Sequence, residues 1–142
     1  MKKIMVFGAF DGLHPGHLSF FKQAKKYGDY LVVSVGRDVN VAKFKGRKPL
    51  FSEKERLELV ENLKIVDKAV LGDKKDFMPH IVAEAPNIIC LGYDQWANER
   101  ELKRDLEKEG LVKTRVVRLV AYKPKVARSR MLRPGWKRKL TT

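Results

Sequence analysis

Strand-like and helix-like segments alternate along this chain of 142 residues, and no other feature restricts its fold as much. Short apolar runs bounded by Gly or Asp predict five buried strands. These strands cover residues 3–7, 30–35, 66–71, 87–91 and 114–120. Helical patterns lie between most of them, and repeated strand–helix–strand units build a parallel sheet with helices on both faces. We therefore predict one α/β domain over residues 1–142, doubly wound and Rossmann-like, with a five-stranded parallel sheet.

Helices are predicted where apolar residues recur at helical spacing between capping residues and glycines. Two of them begin with a capping-box pattern, in which Ser or Asn is followed three residues later by Glu. The predicted helices cover residues 16–27, 52–63, 76–83 and 98–110. Residues 37–50 have no such period and are rich in basic side chains, so we predict a loop there that is long enough to be functional.

The positive charge of the chain is concentrated at one end. Residues 110–142 hold eleven of the 31 Lys and Arg residues and none of the 17 Asp and Glu residues. Such a field attracts polyanions, and either a nucleic acid or a phosphorylated small molecule would satisfy it. Composition alone does not separate the two.

The cellular location is predicted from features that the sequence lacks. No apolar run approaches the ~20 residues needed to span a bilayer, and the first strand is too short to be a signal peptide. Cys90 is the one cysteine, which excludes an internal disulfide framework. We expect a cytoplasmic protein with no membrane partner.

The segment Gly8–His17 follows the first strand and has the composition of an anion-binding loop. In an open α/β sheet, ligands bind beyond the carboxyl ends of the strands, where the strand order reverses. Its glycine spacing matches neither a P-loop nor a dinucleotide fingerprint. His14 and His17 instead lie three residues apart at a helix start, and a helix N-terminus favours anions. Two imidazoles there could bind phosphate oxygens and stabilise the charge of a breaking phosphoryl bond.

Two other roles are open to the histidine pair. Zinc would need four ligands, and Cys90 and His80 are the remaining soft partners that the chain offers. Alternatively, either ring could simply cap the helix or pack against it. The surrounding glycines, Asp11 and the position after the first strand favour the phosphate site.

Gly8–His17 also resembles a known signature, the Gly-x-Phe-Asp-x-x-His-x-Gly-His of the cytidylyltransferase-like nucleotidyltransferase superfamily. The resemblance extends over nearly the whole chain. Within the superfamily, the chain is most similar to the archaeal FAD synthases, which are FMN adenylyltransferases. Collinear motifs carry this similarity: Gly36–Asp38, Lys45–Pro49, Val66–Gly72, Leu91–Gln95 and Tyr122–Lys123. Glycerol-3-phosphate cytidylyltransferases are less similar, because their Arg-Thr-x-Gly-Ile-Ser-Thr-Thr motif is not kept here.

The resemblance implies a set of site residues. Ala9 and Phe10 would contact the nucleotide through the backbone, and Asp94 and Tyr122 would lie at the nucleoside. The triphosphate would be held by His14, Pro15, Gly16 and His17. Ser129 is predicted to cap a C-terminal helix where it and Arg130 bind the β- and γ-phosphates, although a surface helix serving solubility or RNA is the alternative. The expected catalytic residues are His14, His17 and Arg130.

Other basic and aromatic residues are open to more than one interpretation. Lys45, Arg47 and Lys48, with Lys43, would clamp substrate phosphates, or they belong to a solvated charged loop. Arg56 would form a surface ion pair with Glu53 or Glu55, or contact substrate. Trp96 would either stack on the ring of a ligand or have a packing role. Trp136 would bind nucleic acid or a flavin phosphate, or it would belong to a poorly ordered tail.

The resemblance implies transfer of AMP from ATP to FMN, which gives FAD and pyrophosphate. A divalent cation, Mg²⁺ or a similar ion, would be bound through the triphosphate, and no protein metal site is expected. The alternatives are a cytidylyltransferase acting on glycerol 3-phosphate or a similar phosphorylated alcohol, and a non-catalytic nucleic-acid-binding protein. We expect ATP and FMN as partners rather than nucleic acid. The oligomeric state is open, a homodimer included.

Overall fold

The computed structural model describes residues 1–95 and 97–122. The strands are β1 (Lys3–Gly8), β2 (Tyr30–Val35), β3 (Lys68–Leu71), β4 (Ile88–Leu91) and β5 (Arg115–Arg118). The helices are α1 (Pro15–Lys25), α2 (Asp38–Lys45), α3 (Glu53–Glu61), α4 (Met78–Glu84) and α5 (Glu99–Lys108). The prediction that residues 123–142 belong to the same domain lies outside the described residues.

The five strands form one parallel sheet in the order β3-β2-β1-β4-β5, which confirms the predicted fold class. The chain runs outward from β1 to β2 and β3, crosses back to β4 beside β1, and then adds β5 at the edge of the sheet beyond β4. The connections that follow β1 and β4 therefore leave in opposite directions. This reversal opens a crevice at the carboxyl ends of the two strands, where a ligand can bind.

Apolar side chains of the central strand alternate between the two faces of the sheet. Ile4 and Val6 belong to one core cluster, together with Phe21 of α1 and Val60 of α3. Met5 belongs to the other cluster, which packs on α4 and α5. Burying one such side chain contributes about 1.5–3 kcal/mol. Helices therefore cover both faces, and the carboxyl edge of the sheet is the place left for a site.

The prediction of a loop over residues 37–50 is wrong, because Asp38–Lys45 forms α2. The helix buries one apolar side chain, Val41, so the sequence shows no helical period. Arg37 makes no side-chain cap, and the side chain of Glu53 on α3 accepts the Asp38 N–H at 2.9 Å instead. Gly46 ends the helix in the left-handed conformation, with φ of 68°. The capping group comes from another helix, and local sequence patterns do not reveal it.

Two further findings bear on expectations from the sequence. Cys90 lies in the core, and burial raises the pKa of its thiol to about 12, so the thiol is unreactive at neutral pH. Among the described residues, no helix combines the length and the apolarity that crossing a bilayer requires.

Candidate functional site

A cleft of about 530 Å³ opens at the carboxyl ends of β1 and β4. It lies where the strand order reverses, the position expected for a ligand. Eight of the residues predicted for the site line it together: Ala9, Phe10, His14, Gly16, His17, Lys45, Asp94 and Tyr122. Pro15, Arg47 and Lys48 are exposed and are not among the lining residues. Lys45 reaches the cleft from the last turn of α2, which the sequence analysis had assigned to a loop.

Hydrogen bonds from backbone N–H groups at the start of α1 fix the rings of the two histidines of the cleft. The Gly16 N–H donates to His14 Nδ1 at 3.0 Å, and the His14 N–H donates to His17 Nδ1 at 3.2 Å. A nitrogen that accepts a hydrogen bond from a backbone N–H cannot carry a proton itself. In the neutral rings the proton is therefore on Nε2. Capping, the alternative considered for these histidines, does occur, and it leaves Nε2–H of each ring as a donor.

This arrangement changes how the helix end can bind an anion. Pro15 has no N–H, the Gly16 N–H is used by His14, and the N–H groups of His17 and Leu18 donate to the His14 carbonyl. The first turn therefore offers few free backbone donors. The imidazole Nε2–H groups, rather than the backbone, are the donors available to a phosphate.

His17 stays neutral far below physiological pH. Burial lowers its pKa to about 4, with smaller contributions from electrostatic interactions with His14 and Lys45. Its ring lies with its centroid 3.9 Å from that of His14 and 5.4 Å from that of Phe10. A neutral ring with fixed orientation can donate a hydrogen bond without first losing or gaining a proton.

Two glycines and one strained residue shape the loop behind the histidines. A Cβ on Gly16 would lie 2.7 Å from His14 Cε1, and one on Gly8 would lie 2.6 Å from Phe10 Cζ. Phe10 adopts a positive φ of 52° although it is not glycine, a conformation that costs on the order of 1–2 kcal/mol. Its buried side chain packs on Phe20 and Phe21. The largely buried ring is compatible with the predicted contact of Phe10 through its backbone.

Arg56 is a positioning residue that the sequence analysis misjudged. Its side chain is 0% exposed, so it neither forms a surface ion pair nor touches a ligand. The guanidinium donates to the carbonyls of Phe51, Ala9 and Gly36 at 2.7–3.0 Å, and to the Asp38 carboxylate at 2.7 Å. It therefore joins the loop after β1 to the end of β2. Arginine is almost never fully buried unless it is paired, and the partners of Arg56 lie in segments that no local sequence pattern connects to it.

Gln95 and Asp11 also organise the cleft, although neither was predicted to bind a ligand. The Gln95 amide donates to the Phe7 carbonyl and accepts the Gly92 N–H, both at 2.7 Å, and so joins the ends of β1 and β4. The Asp11 carboxylate accepts the N–H groups of Leu50 and Phe51. Desolvation raises the pKa of Asp11, but these hydrogen bonds, with Lys45 and Arg56, outweigh it and the net pKa is lowered. Both residues lie inside the motifs noted above, which was the available signal.

Soft ligands that could have completed a zinc site lie elsewhere in the fold. His80 bridges Ser34 and Asp73, at 2.8 and 2.7 Å. Within residues 1–95 and 97–122, no group of three or more His, Cys, Asp or Glu side chains is arranged to hold a metal ion.

The predictions for Trp96, Ser129, Arg130 and Trp136 fall outside the described residues.

Sequence comparison identifies the family of this chain and several of its relatives. A family model described as cytidylyltransferase-like matches residues 5–134. A protein of Thermoplasma acidophilum named FAD synthase is 44% identical over 133 residues, covering 94% of this chain and 92% of its own. Another protein of that name, from Ferroglobus placidus, is 49% identical over 121 residues, covering 85% of this chain and 78% of its own.

Structural comparison gives the same fold. The crystal structure of a Thermoplasma volcanium protein, described as a lipopolysaccharide core biosynthesis protein, matches with a TM-score of 0.82 at 43% identity. The match covers 87% of this chain and 99% of that one. Pantoate-beta-alanine ligase from Francisella tularensis matches with a TM-score of 0.59 at 17% identity, covering 87% of this chain and 60% of its own. The second likeness concerns the fold alone.

Proposed function

Because the chain belongs to the cytidylyltransferase-like family, we propose that its cleft transfers AMP from ATP to FMN, giving FAD and pyrophosphate. The observation that carries nucleotidyl transfer is the pair of hydrogen bonds from Gly16 N–H to His14 Nδ1 and from His14 N–H to His17 Nδ1, which fixes two Nε2–H donors at the cleft. The choice of ATP and FMN is supported by relatives named FAD synthase at 44% and 49% identity.

The reaction needs no general base. The second pKa of a phosphate monoester is near ~6, so the FMN phosphate is already largely dianionic at neutral pH. One of its oxygens attacks the α-phosphorus of ATP and forms the new P–O bond. The bond from that phosphorus to the α–β bridging oxygen breaks, and its electron pair leaves with pyrophosphate. The enzyme must therefore align two anions and stabilise the departing charge.

Side chains of the cleft are suited to this task. Nε2–H of His14 and of His17 would donate to the phosphate oxygens as charge develops on them, an interaction that is stronger in the transition state than in the ground state. The ammonium group of Lys45 adds positive charge at the same wall. We also predict a divalent cation bound through the triphosphate. It would neutralise part of the negative charge of the phosphates.

A pyrophosphate-release screen tests the assignment. ATP and CTP are each offered with FMN, glycerol 3-phosphate or a sugar phosphate, in the presence of Mg²⁺ or Mn²⁺. The sugar phosphate is included because the solved T. volcanium relative is described as a lipopolysaccharide core biosynthesis protein. We expect release with ATP and FMN together, and none when riboflavin, which lacks the phosphate, replaces FMN. Turnover with CTP and glycerol 3-phosphate alone would overturn the substrate assignment in favour of a cytidylyltransferase.

The setting of the reaction is part of the proposal. We place it in the cytoplasm, and we leave a homodimer as a prediction for sedimentation to test.

The basic residues 110–142 also fit the alternative of a nucleic-acid-binding protein. Salt-sensitive RNA binding without turnover of any triphosphate would favour that alternative.

A further inference from the structure

The chain leaves the sheet just before it reaches the cleft. Among the described residues, the ladder between β4 and β5 ends with the hydrogen bond from the Leu119 N–H to the Leu91 carbonyl, at 2.8 Å. Val120 and Tyr122 follow, and both line the cleft. Val120 is 72% exposed, so packing of its side chain does not fix this segment. A segment that is exposed and has left the sheet needs another attachment to keep one position.

Gln23 on α1 supplies that attachment. Its amide Nε2–H donates to the Val120 carbonyl, and its Oε1 accepts the Val120 N–H, both at 3.1 Å. The side-chain amide therefore pairs with Val120 as a residue of a neighbouring strand would. The other N–H of the amide donates to Ser19 Oγ at 3.4 Å. Gln23 lines the cleft, but both of its N–H groups are engaged within the protein, so it is not a donor for a ligand.

The segment that Gln23 holds reaches the start of α1. A Cβ placed on Gly16 would lie 3.7 Å from Tyr122 Cδ2 and 2.7 Å from His14 Cε1, so the bare Gly16 lies between the two rings. His14 is a proposed donor to the phosphates, and Tyr122 is the residue predicted to lie at the nucleoside. The position of Val120 therefore determines where Tyr122 stands relative to His14.

One helix thus carries both the phosphate donors and the support of the opposite wall. Gln23 lies six residues after His17, which is about 9 Å along the axis of α1 at ~1.5 Å per residue. Because a helix is rigid over this distance, the two hydrogen bonds of Gln23 set the spacing between the histidine rings and the wall formed by Val120 and Tyr122.

From this geometry we infer that Gln23 is a positioning residue for the nucleotide, which holds the Val120 and Tyr122 wall in the arrangement that binds ATP. The inference rests on the proposed function, because it takes ATP as the nucleotide. Without the amide, the wall occupies other positions, and ATP binds to the fraction of molecules in which the wall is in place. The apparent Kd for ATP then rises by the inverse of that fraction. His14 and His17 keep their own hydrogen bonds, so the chemical step is unchanged.

Gln23→Leu tests the inference, because it keeps a side chain of similar size and removes both hydrogen bonds to Val120. We expect the Kd for ATP with Mg²⁺, measured by calorimetry without FMN, and the KM for ATP to rise about tenfold, which is ~1.4 kcal/mol. The kcat and the KM for FMN stay unchanged. Asn62→Leu is the matched control, because it removes an amide hydrogen bond to a backbone carbonyl, that of Glu58, on α3. It should leave all of these constants unchanged.

Two further measurements show whether the effect passes through the wall. Hydrogen exchange of the Val120 N–H, followed by NMR, should speed up several-fold in Gln23→Leu, because the N–H loses its acceptor. Tyr122→Ala should itself weaken ATP binding, and adding Gln23→Leu to it should weaken binding no further, since the two residues then act as one unit. Gln23→Glu, which keeps an acceptor for the Val120 N–H, provides a second variant should Gln23→Leu fail to fold. It should raise the Kd for ATP by less than Gln23→Leu.

The outcomes separate this inference from the proposed function. Unchanged exchange of the Val120 N–H would mean that Gln23 does not hold the wall, and faster exchange with unchanged ATP affinity would mean that the wall does not matter for ATP. Additive effects of Gln23→Leu and Tyr122→Ala would also overturn the inference. If the wild-type protein binds ATP but makes no FAD, the assignment of FMN fails and the test of Gln23 still holds. If it binds no ATP, both fail.

Discussion

The chemistry of the cleft depends on where single protons lie. The sequence was sufficient to predict that His14 and His17 belong to the site, because their spacing places them at a helix start. It could not predict that each Nδ1 accepts a backbone N–H, since that depends on ring orientation. Gly16 makes this orientation available, because any side chain there would collide with the His14 ring. The consequence is a pair of preset Nε2–H donors.

His17 should titrate at an unusually low pH. Burial favours the neutral ring, so the folded protein binds a proton at His17 less readily than the unfolded chain, whose pKa is 6.5. The stabilising contribution of the neutral ring is complete above pH 6.5 and is lost as the pH falls towards 4. Nitrogen-15 NMR should show Nε2–H at pH 7 and a midpoint near 4. A midpoint near 6.5 would contradict the burial and the charge contacts described here.

Removing the His17 ring should lower the rate of the chemical step. We expect His17→Ala to reduce kcat by about 10²-fold or more, as loss of one preorganised donor commonly does. Lys22→Ala, on the exposed side of the same helix, should leave kcat unchanged. Circular dichroism checks that both variants fold. A His17→Ala variant with wild-type kcat and KM would place the phosphates away from this ring.

Arg56 should contribute to stability more than any exposed arginine. Arg56→Met leaves the buried carbonyls of Ala9 and Gly36 without their donor, and each unsatisfied group costs about 1–3 kcal/mol. We expect the free energy of unfolding in urea to fall by about 2–5 kcal/mol, and the KM for ATP to rise because the loop loses its support. Arg104→Met, on the exposed side of α5, is the control and should change stability by less than about 0.5 kcal/mol. Equal effects would contradict the buried role.

Among the elements, α2 was the one that the sequence analysis missed. Its capping group is the Glu53 side chain on α3, and Val41 is its one buried residue, so neither a cap nor a period is visible locally. The helices with their own caps, α3 after Ser52 and α5 after Asn98, were predicted close to their observed bounds. α2 matters for function because its last turn places Lys45 at the cleft.

The segment after α2 is attached to the Gly8–His17 loop through Asp11. Asp11→Ala removes the acceptor of the Leu50 and Phe51 N–H groups, so we expect tryptic cleavage after Arg47 to speed up several-fold. Asp29→Ala is the matched control, because Asp29 also accepts a backbone N–H, from Lys2 at the opposite end of the sheet. Mass spectrometry of the early fragments gives the cleavage sites. Unchanged cleavage in Asp11→Ala would show that the attachment does not restrain the segment.

For the molecule as a whole, periodicity and motif position were enough to predict a parallel five-stranded sheet with a site at its carboxyl edge. That success has a physical reason, since strand burial and helix periodicity are local properties. The contacts of Arg56 and Gln95 were not predicted, because they join segments far apart in the chain. Tertiary contacts of this kind, which leave no local pattern, complete the cleft.

The basic C-terminal segment, residues 110–142, carries the remaining prediction about the triphosphate. If Arg130 binds the β- and γ-phosphates, Arg130→Ala should weaken ATP binding by about 1.5–3 kcal/mol, the range for a hydrogen bond to a charged group. Lys137→Ala and Lys139→Ala, which remove similar charges from the same segment, should do almost nothing. Calorimetric titration with ATP at fixed salt compares the three. Equivalent losses would mean a diffuse polyanion-binding segment instead of a phosphate clamp.

The fate of the ATP phosphorus atoms tests the central claim most directly. The protein is incubated with FMN, a divalent cation and ATP labelled with phosphorus-32 at either the α- or the γ-position, and the flavin and phosphate products are separated. Attack at the α-phosphorus predicts that the α-label appears in FAD and the γ-label in pyrophosphate. Labelled flavin from γ-labelled ATP, or from α-labelled CTP but not from α-labelled ATP, would contradict adenylyl transfer to FMN.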